Sequence, residues 1–215
     1  MLPDQTLNNV ENRQLNGVEG FILIGGASSR MGSDKAQLEL GGSTFVERIA
    51  AALSSVTETV RCVGAKEDDP SGLINVPDLF PGWGALGGLH AALAATRSDW
   101  SAIVACDLPL VTRELFTRLA TLRENFDAVV PVQSDGRPQP LCALYRCESC
   151  LPKAAALIEE GERRPRAVLA GVNTRWVTPS DLDDLDGAGN FFWNINTPDD
   201  YARAQSLLTA WPQGN

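Results

Sequence analysis

The sequence has no long apolar segment and no recognisable export signal. Its apolar runs extend for only a few residues, far fewer than the ~20 that a helix needs to cross a bilayer. The stretch from Met1 to Gly17 is polar and rich in asparagine, unlike the cationic and apolar start of a secreted protein. We therefore expect a cytoplasmic protein that does not enter a membrane.

Disulfide bonds are not expected either. The five cysteines are an odd number, and a chain without an export signal normally keeps its thiols reduced. Cys142, Cys147 and Cys150 have the C-x4-C-x2-C spacing that begins one kind of iron–sulfur motif. Because Cys62 and Cys106 both precede them, the fourth ligand is missing. Buried or surface thiols are the favoured interpretation, and the single histidine adds no second metal-binding pattern.

Positive charge is scarce. The chain has 18 lysine and arginine residues against 27 aspartate and glutamate residues, which gives a net charge of −9. A surface of this sign does not attract a nucleic acid or an anionic membrane, so neither is expected as a partner. An anionic substrate then requires a local cluster of cations or a metal ion. The candidate cations are Arg30, Lys35 and the arginine-rich run 163–166.

The order of the predicted elements favours an α/β fold with a mostly parallel sheet. Strands alternate with helices over two-thirds of the chain, which is typical of βαβ units. The predicted strands are 21–24, 59–63, 73–76, 100–105, 128–132 and 141–145, with a further one at 175–177. Predicted helices include 89–96, about 153–160 and one that starts at Pro198. The length suits a single domain, 18–211, with a flexible N-terminal tail (1–17) and a short C-terminal tail (212–215).

The most informative stretch is 21–35, F-I-L-I-G-G-A-S-S-R-M-G-S-D-K. Four apolar residues predict a buried strand, and three glycines, serines and two cations follow within eleven positions. Glycines let the backbone come close to phosphate oxygens, while Arg30 and Lys35 supply fixed positive charge. The pattern therefore indicates a loop that binds a polyphosphate.

The spacing excludes two commoner phosphate-binding motifs. A Walker A loop has lysine directly after its last glycine, whereas Gly32 is followed by Ser-Asp-Lys. The dinucleotide motif G-x-G-x-x-G is also absent, because the next glycine after Gly26 lies six residues on. The remaining alternative is a glycine-rich turn with exposed charges. It is disfavoured, since the strand, the glycines and both cations occur together in the expected order.

Two further segments place polar side chains after predicted strands. Asp107 follows the strand that ends in Ile-Val-Ala-Cys and precedes Leu-Pro. A carboxylate there, close to a triphosphate, is a natural ligand for magnesium, and the structural alternative is a helix cap or a surface aspartate. Asn194 and Asn196 lie two apart on a predicted strand end. They would face the same side and offer amide groups to a substrate or a metal ion.

These segments resemble the motifs of one enzyme family. The loop L-I-G-G-A-S-S-R-M-G-S-D-K resembles the signature loop of nucleotidyltransferases with a Rossmann-like fold, and within them that of the MobA-like molybdenum cofactor guanylyltransferases. The paired glycines and the Asp-Lys ending favour that branch. The segment C-D-L-P around Asp107 resembles the family's metal-binding segment, and N-I-N-T-P at 194–198 resembles its acceptor-side element. The resemblance covers roughly residues 20 to 203.

The resemblance implies a three-layer fold and transfer of GMP from Mg-GTP to molybdopterin. The products would be pyrophosphate and the guanine dinucleotide form of the molybdenum cofactor, with Mg²⁺ as the enzyme's cofactor. Implied further partners are other cofactor-assembly proteins and acceptor molybdoenzymes. The implied catalytic residues are Arg30, Lys35 and Asp107, of which Asp107 is the metal ligand. The implied nucleotide-binding residues are Leu23, Ile24, Gly25, Gly26, Lys35, Asp78 and Asp107. The implied acceptor-binding residues are Gly87, Arg163, Arg164, Asn194 and Asn196.

The sequence departs from the family pattern in two places. Ala85 stands where the family usually has a proline, and Gly64-Ala65 stand where it has an asparagine that contacts the nucleotide. Three alternatives stay open. The chain could be a molybdopterin cytidylyltransferase, a nucleotidyltransferase with another acceptor such as a sugar phosphate, or a non-catalytic homologue that binds the cofactor.

Overall fold

The computed structural model describes residues 17–24, 37–54, 56–57, 59–65 and 71–210. The phosphate-binding loop predicted at Gly25 to Lys35 lies outside the described residues. So do residues 1–16 and 211–215, which include most of the two predicted tails. The domain boundaries therefore stay a prediction.

A seven-stranded sheet forms the centre of the described structure, and a small two-stranded hairpin lies apart from it. The strands, in chain order, are β1 (Val18–Leu23), β2 (Glu39–Leu40), β3 (Ser43–Thr44), β4 (Val60–Val63), β5 (Ile74–Val76), β6 (Trp100–Ala105), β7 (Ala128–Pro131), β8 (Cys142–Arg146) and β9 (Thr174–Val177). The large sheet has the order β5-β4-β1-β6-β8-β7-β9, and β2 pairs with β3. Its neighbouring strands are parallel except where β8 pairs with β6 and β7. The predicted mostly parallel sheet is confirmed.

The strand order changes direction next to β1. The chain proceeds outward from β1 through β4 to β5, and it then places β6 on the other side of β1. Every strand of the large sheet except β8 ends at the same edge, which we call the carboxyl edge. The ends of β1 and β6 lie side by side there, because Leu23 pairs with Ala105. Open α/β sheets bind ligands at such a reversal.

Two helices begin earlier than the sequence pattern predicts. The helices are α1 (Phe45–Ser54), α2 (Gly84–Ala95), α3 (Arg113–Thr121), α4 (Cys147–Glu159), α5 (Arg166–Leu169) and α6 (Pro198–Ala210). The predicted start at Leu89 is wrong, because α2 includes Gly84 and the glycines that follow it. The predicted start near Lys153 is also wrong, because α4 continues through Pro152 from Cys147. No helix within the described ranges is long and apolar enough to cross a membrane.

Helices cover both faces of the large sheet. On one face α1 and α3 bury their apolar side chains, and on the other face α2, α4 and α5 do so. Strand β1 shows the expected alternation, because Ile22 packs on the first face while Phe21 and Leu23 pack on the second. Burial on both faces explains the nearly continuous apolar runs of the central strands. The three-layer α/β architecture that the resemblance implied is confirmed.

A buried ion pair lies at the end of the sheet away from the carboxyl edge. Glu19 of β1 pairs with Arg61 of β4, and their side chains are only 11% and 12% exposed. Glu19 also accepts a hydrogen bond from the backbone N–H of Arg97 at 3.0 Å. Arg61 donates to the carbonyl of Ala95 at 2.9 Å and lies 4.7 Å from the centre of the Phe21 ring. The pair thus joins β1, β4 and the end of α2.

None of the five cysteines forms a disulfide bond. Cys62, Cys142 and Cys150 are buried, and burial raises the pKa of Cys150 to about 12. A thiol with such a pKa stays protonated near neutral pH and is a poor nucleophile. Within the described part of the chain, no three histidine, cysteine, aspartate or glutamate side chains are grouped so as to hold a metal ion.

Candidate active site

A cavity of about 910 Å³ opens at the carboxyl edge, where the strand order reverses. We call it the main cavity. Its volume lies in the range of sites that bind small molecules and cofactors. The structure brings six of the predicted site residues together on its wall: Leu23, Ile24, Asp78, Asp107, Asn194 and Asn196.

Asp107 lies in the turn that follows β6, at the centre of the carboxyl edge. The N–H of Cys106 donates to the carbonyl of Leu23 at 3.0 Å, which ties the turn to the end of β1. The carbonyl of Asp107 accepts a hydrogen bond from the N–H of Ile195 at 2.9 Å. Asp107 is therefore held between the end of β1 and the segment that contains the two asparagines.

The segment 193–196 has irregular backbone, so the strand end predicted there is wrong. The hydrogen bond between Ile195 and Asp107 anchors it in place of strand pairing. The two asparagines nevertheless face the same side, as predicted. Ile195 is fully buried, whereas Asn194 and Asn196 are exposed and line the main cavity. Their amide groups therefore share the space into which Asp107 opens.

A capping box fixes the start of α6 directly after Asn196. The carboxylate of Asp200 accepts hydrogen bonds from the N–H groups of Asn196 and Thr197 at 3.1 and 2.9 Å. It also accepts one from the hydroxyl of Thr197 at 2.8 Å, and the Asp200 N–H donates back to that hydroxyl at 3.1 Å. The bond from the Thr197 hydroxyl is the main reason why the pKa of Asp200 is lowered. The predicted helix start, with Pro198 in its first turn, is confirmed.

Asp200→Ala is expected to lower the free energy of unfolding by about 1 kcal/mol at neutral pH, the usual cost of a lost helix cap. Because the pKa of Asp200 is lowered in the folded state, the unfolded chain takes up its proton first as the pH falls. The stabilisation is therefore present above about pH 4, the ordinary aspartate value, and is lost below it. Urea denaturation at pH 7 and pH 3 measures this. The exposed neighbour Asp199→Ala is the control, and an equal loss at both pH values for Asp200→Ala would contradict the assignment.

Asp78 lies near the start of the loop that leads from β5 to α2. Its Oδ1 accepts the N–H of Phe80 at 2.9 Å, which closes a tight turn. Gly87 of α2 packs beneath this turn, since a Cβ there would lie 3.1 Å from the Phe80 carbonyl oxygen and 3.3 Å from Asp78 Oδ1. Among the described residues, Gly88 and not Gly87 lines the main cavity. The structure thus gives Gly87 a packing role, and its contact with the acceptor stays a prediction.

His90 supports the same loop from behind. It is 8% exposed, and its ring meets that of Phe80 edge-on with 4.9 Å between the ring centres. Its buried Nδ1 has no hydrogen-bond partner within the described residues. Burial lowers the pKa of His90, although the charge of Asp78 opposes this. A neutral, buried imidazole of this kind is a core side chain.

Arg163 and Arg164 lie in the turn between α4 and α5. Arg163 donates to the carbonyl of Gly82 at 2.9 Å, and its guanidinium lies 4.7 Å from the centre of the Trp83 ring. Arg164 forms an ion pair with Glu162 at 2.5 Å, which is the main reason why the pKa of Glu162 falls to about 2. Neither arginine is among the described residues that line the main cavity. Both guanidinium groups bind protein atoms, and their contact with the acceptor stays a prediction.

At Gly64-Ala65, the sequence differs from the family pattern, which has an asparagine in this region. Gly64 has no side chain, so it presents only backbone to the main cavity. Gly64 lines the cavity with a φ of 74°, which favours glycine. The backbone of Ala65 is paired twice with the side chain of Asn75, at 3.2 and 3.0 Å. Asn75 is thus held on β5 by the backbone of Ala65.

Sequence reasoning missed the residues that precede β8. Gln139, Pro140 and Leu141 line the main cavity. They reach it because β8 runs opposite to its neighbours and therefore begins at the carboxyl edge. No motif marks these residues, and the direction of β8 is not visible in the sequence.

The described wall of the main cavity carries the carboxylates of Asp78 and Asp107 but no lysine or arginine. A triphosphate bound there needs cations from elsewhere, because like charges repel at short range. Ile24, the last described residue before the segment 25–36, lines the cavity. That segment contains Arg30 and Lys35, whose positions lie outside the described residues.

The oxygen atoms around Asp107 suit a magnesium ion. Asp107 offers a carboxylate, and Asn194 and Asn196 offer amide oxygens to the same cavity. Magnesium commonly binds one or two protein carboxylates and completes its shell with substrate phosphates and water. The donor set therefore fits Mg²⁺ held by Asp107 together with a bound triphosphate.

The fold and the site define a nucleotide-binding α/β enzyme: a parallel-rich sheet, a ligand cavity at its strand reversal and a carboxylate suited to a metal. The sequence profile of the MobA-like NTP transferase domain matches residues 20–176. The chain belongs to the MobA-like NTP transferase family and is a nucleotidyltransferase.

Relatives from several organisms agree with this assignment. The probable molybdenum cofactor guanylyltransferase of Bacillus cereus strain Q1 is 33% identical over 198 residues, which cover 88% of this chain and 96% of that protein. The crystal structure of molybdopterin-guanine dinucleotide biosynthesis protein A from Archaeoglobus fulgidus has a TM-score of 0.76 and 26% identity, and the match covers 90% of this chain and 100% of that one. The 2-C-methyl-D-erythritol 4-phosphate cytidylyltransferase from Thermus thermophilus shares the fold, with a TM-score of 0.65 at 18% identity over 88% of this chain and 98% of that one.

Proposed function

We propose that this nucleotidyltransferase transfers GMP from GTP to molybdopterin bearing molybdenum. The products are pyrophosphate and the guanine dinucleotide form of the cofactor. The observation that carries the proposal is the 2.9 Å hydrogen bond from Ile195 to Asp107, which holds a metal-suited carboxylate beside Asn194 and Asn196. The names of relatives that match 88% of the chain support GTP and molybdopterin as the substrates.

The reaction needs positioning more than it needs a strong base. An oxygen of the terminal phosphate of molybdopterin attacks the α-phosphorus of GTP and forms a new P–O bond. The bond from the α-phosphorus to the oxygen that bridges to the β-phosphate breaks, and its electron pair leaves with pyrophosphate. The attacking phosphate is already anionic near neutral pH. The enzyme therefore has to bring two anions together and stabilise the charge on the leaving group.

The nucleotide side of the site is formed by the ends of β1, β5 and β6. Leu23 and Ile24 supply its apolar wall, and Asp78 approaches the nucleoside. Asp107 would hold Mg²⁺, which when bound withdraws charge from the triphosphate.

The loop after β1 supplies the cations in this proposal. Gly25 and Gly26 allow the backbone to approach the phosphates, and Arg30 and Lys35 bind the triphosphate. The absence of lysine and arginine from the described cavity wall supports this assignment. Asn194 and Asn196 bind the acceptor. Cofactor-assembly proteins and molybdoenzymes as partners, and a cytoplasmic location, stay predictions from the sequence.

The test is pyrophosphate release by the full chain with GTP and then CTP, in the presence of Mg²⁺ and molybdopterin. We expect release with GTP only, and only when molybdopterin and Mg²⁺ are both present. Release with CTP would change the nucleotide and keep the reaction class. Release with GTP and a sugar phosphate in place of molybdopterin would change the acceptor. No release from folded protein with any of them would leave a non-catalytic binding protein as the better account.

A further inference from the structure

A third cluster of apolar side chains lies beside the turn that contains Asp107, apart from the two clusters that cover the large sheet. Its buried members come from separate parts of the chain: Leu40, Phe45, Leu110, Ile195 and Ala204. Leu40 belongs to the small hairpin, Leu110 to the turn after β6, and Ile195 to the segment that contains the two asparagines. The cluster therefore packs the hairpin against the two segments that carry and hold Asp107.

Arg48 joins the same parts by hydrogen bonds. It lies near the start of α1 and is half-buried. Its Nε donates to the carbonyl of Pro109 at 3.2 Å, and its Nη1 donates to the carbonyl of Leu40 at 3.2 Å. Pro109 comes two residues after Asp107, and Leu40 comes five residues after Lys35. One guanidinium thus connects the Asp107 turn to the hairpin that follows the predicted phosphate-binding loop in the chain.

The hairpin is held firmly enough to serve as an anchor for this connection. The hydroxyl of Tyr201 in α6 donates to the carbonyl of Glu39 at 2.5 Å. On the other side, the N–H of Phe45 at the start of α1 donates to the carbonyl of Leu38 at 2.9 Å. Leu40 itself is fully buried. The hairpin is therefore fixed against both α1 and α6.

The Asp107 turn is fixed at its two ends by different groups. The N–H of Cys106 ties its start to Leu23 at 3.0 Å. Pro109 has no N–H, so its carbonyl is the one backbone group through which the end of the turn can be held. Arg48 donates to that carbonyl. Arg48 is not among the described residues on the wall of the main cavity, so it acts on the site through the backbone that it binds.

We propose that Arg48 is a positioning residue for the metal site. It fixes the turn in which Asp107 would hold Mg²⁺, and it sets the place of this turn relative to the hairpin. Groups that orient a metal ligand typically change metal affinity or activity by about 10- to 100-fold when they are removed. The inference rests on the proposed function for Mg-GTP as the substrate and does not depend on the identity of the acceptor.

Arg48→Lys separates positioning from simple packing. Lysine keeps the positive charge and the apolar stem, but its single ammonium nitrogen replaces two nitrogens that reach different carbonyls. The carbonyls of Pro109 and Leu40 are then no longer held by one rigid group. The matched control is Arg118→Lys. Arg118 in α3 also donates to a backbone carbonyl, that of Asp181, and it is not among the described residues on the wall of the main cavity.

The test measures the Kd for GTP with and without Mg²⁺, by titration calorimetry of the full chain in the absence of an acceptor. Mg²⁺ should tighten GTP binding by the wild type, because it joins the triphosphate to Asp107. In Arg48→Lys the factor of tightening should fall to about one-tenth of the wild-type value, the lower end of the usual range, since Arg48 acts on the backbone. The Kd without Mg²⁺ should stay within about threefold. Arg118→Lys should keep the wild-type factor.

The possible outcomes separate this inference from the proposed function. An unchanged factor in Arg48→Lys overturns the inference, gives Arg48 a packing role and leaves the proposed function intact. An equal loss in both variants also overturns it, because general destabilisation then explains the result. A loss confined to Arg48→Lys supports the inference even if molybdopterin is not the acceptor. If Mg²⁺ does not tighten GTP binding by the wild type, the inference fails together with the metal role of Asp107.

Discussion

Asp107→Asn should lower the rate of pyrophosphate release from GTP and molybdopterin by roughly 100- to 1000-fold, the usual cost of removing one preorganised electrostatic group from an active site. The substitution removes the negative charge of the carboxylate that suits a magnesium ion at the centre of the carboxyl edge. It keeps the size of the side chain and the backbone carbonyl that binds Ile195. The protein should therefore stay folded, and the loss should appear in kcat measured over a series of Mg²⁺ concentrations.

Asp99→Asn is the matched control for Asp107→Asn. It removes the same charge just before the start of β6, whereas Asp107 follows the end of that strand. Its rate of pyrophosphate release should stay within about threefold of wild type, because exposed charges far from a reaction site are largely screened. Turnover near the wild-type value in Asp107→Asn at saturating Mg²⁺ would show that another group binds the metal.

Glu19→Ala is expected to be the most destabilising single change considered, with a loss of about 3–5 kcal/mol in the free energy of unfolding. The change leaves the guanidinium of Arg61 buried without its carboxylate partner. It also removes the acceptor for the N–H of Arg97 and for the hydroxyl of Ser98. A typical domain has a total stability of about 5–15 kcal/mol. Urea denaturation followed by tryptophan fluorescence should therefore show a much lower midpoint.

The double variant Glu19→Leu with Arg61→Met tests the cause. Replacing both partners of a buried pair with apolar side chains is often neutral, so the double variant should recover most of the stability that Glu19→Ala loses. If the double variant is as unstable as the single one, packing and not the unpaired charge explains the loss. A cost below about 1 kcal/mol for Glu19→Ala would show that water reaches Arg61 and screens it.

The sequence predicted that Asp78 and Asp107 lie at one edge of the sheet because each belongs to a local pattern. Asp78 and Asp107 each follow an apolar run, and parallel strands bring the ends of such runs to one edge. Asn194 and Asn196 were placed correctly for a partly wrong reason. The two asparagines are exposed on either side of buried Ile195, as predicted. However, a single hydrogen bond from Ile195 to Asp107, and not strand pairing, holds this arrangement.

A second cavity of about 800 Å³, which shares Asn194 with the main cavity, could not be predicted because its parts are far apart in the sequence. Gln133 and Asp183 line the same cavity only because β8 runs in the opposite direction and β9 pairs with β7. Arg203 joins them from α6. Gln133 directly follows an apolar run but Asp183 and Arg203 do not, so no local pattern marks the three residues together.

The start of β1 was missed for a related reason. The apolar run predicts a strand over 21–24, whereas β1 is Val18–Leu23 and includes a glutamate and a glycine. Glu19 is stabilised by a partner that is 42 positions away. Gly20 is required by close packing, since a Cβ there would lie 3.2 Å from Thr57 Oγ1. Both residues look unsuited to a buried strand until their non-local neighbours are known.

The reversed direction of β8 determines what kind of connection lies at the carboxyl edge. Parallel strands must be joined by a long crossover, usually a helix that packs on the sheet, whereas antiparallel strands need only a short connection. The connection between β7 and β8 is therefore a loop at the carboxyl edge. It supplies Gln139 to the main cavity and Gln133 to the second cavity. Insertions in this loop would therefore alter the walls of both cavities without disturbing a core helix.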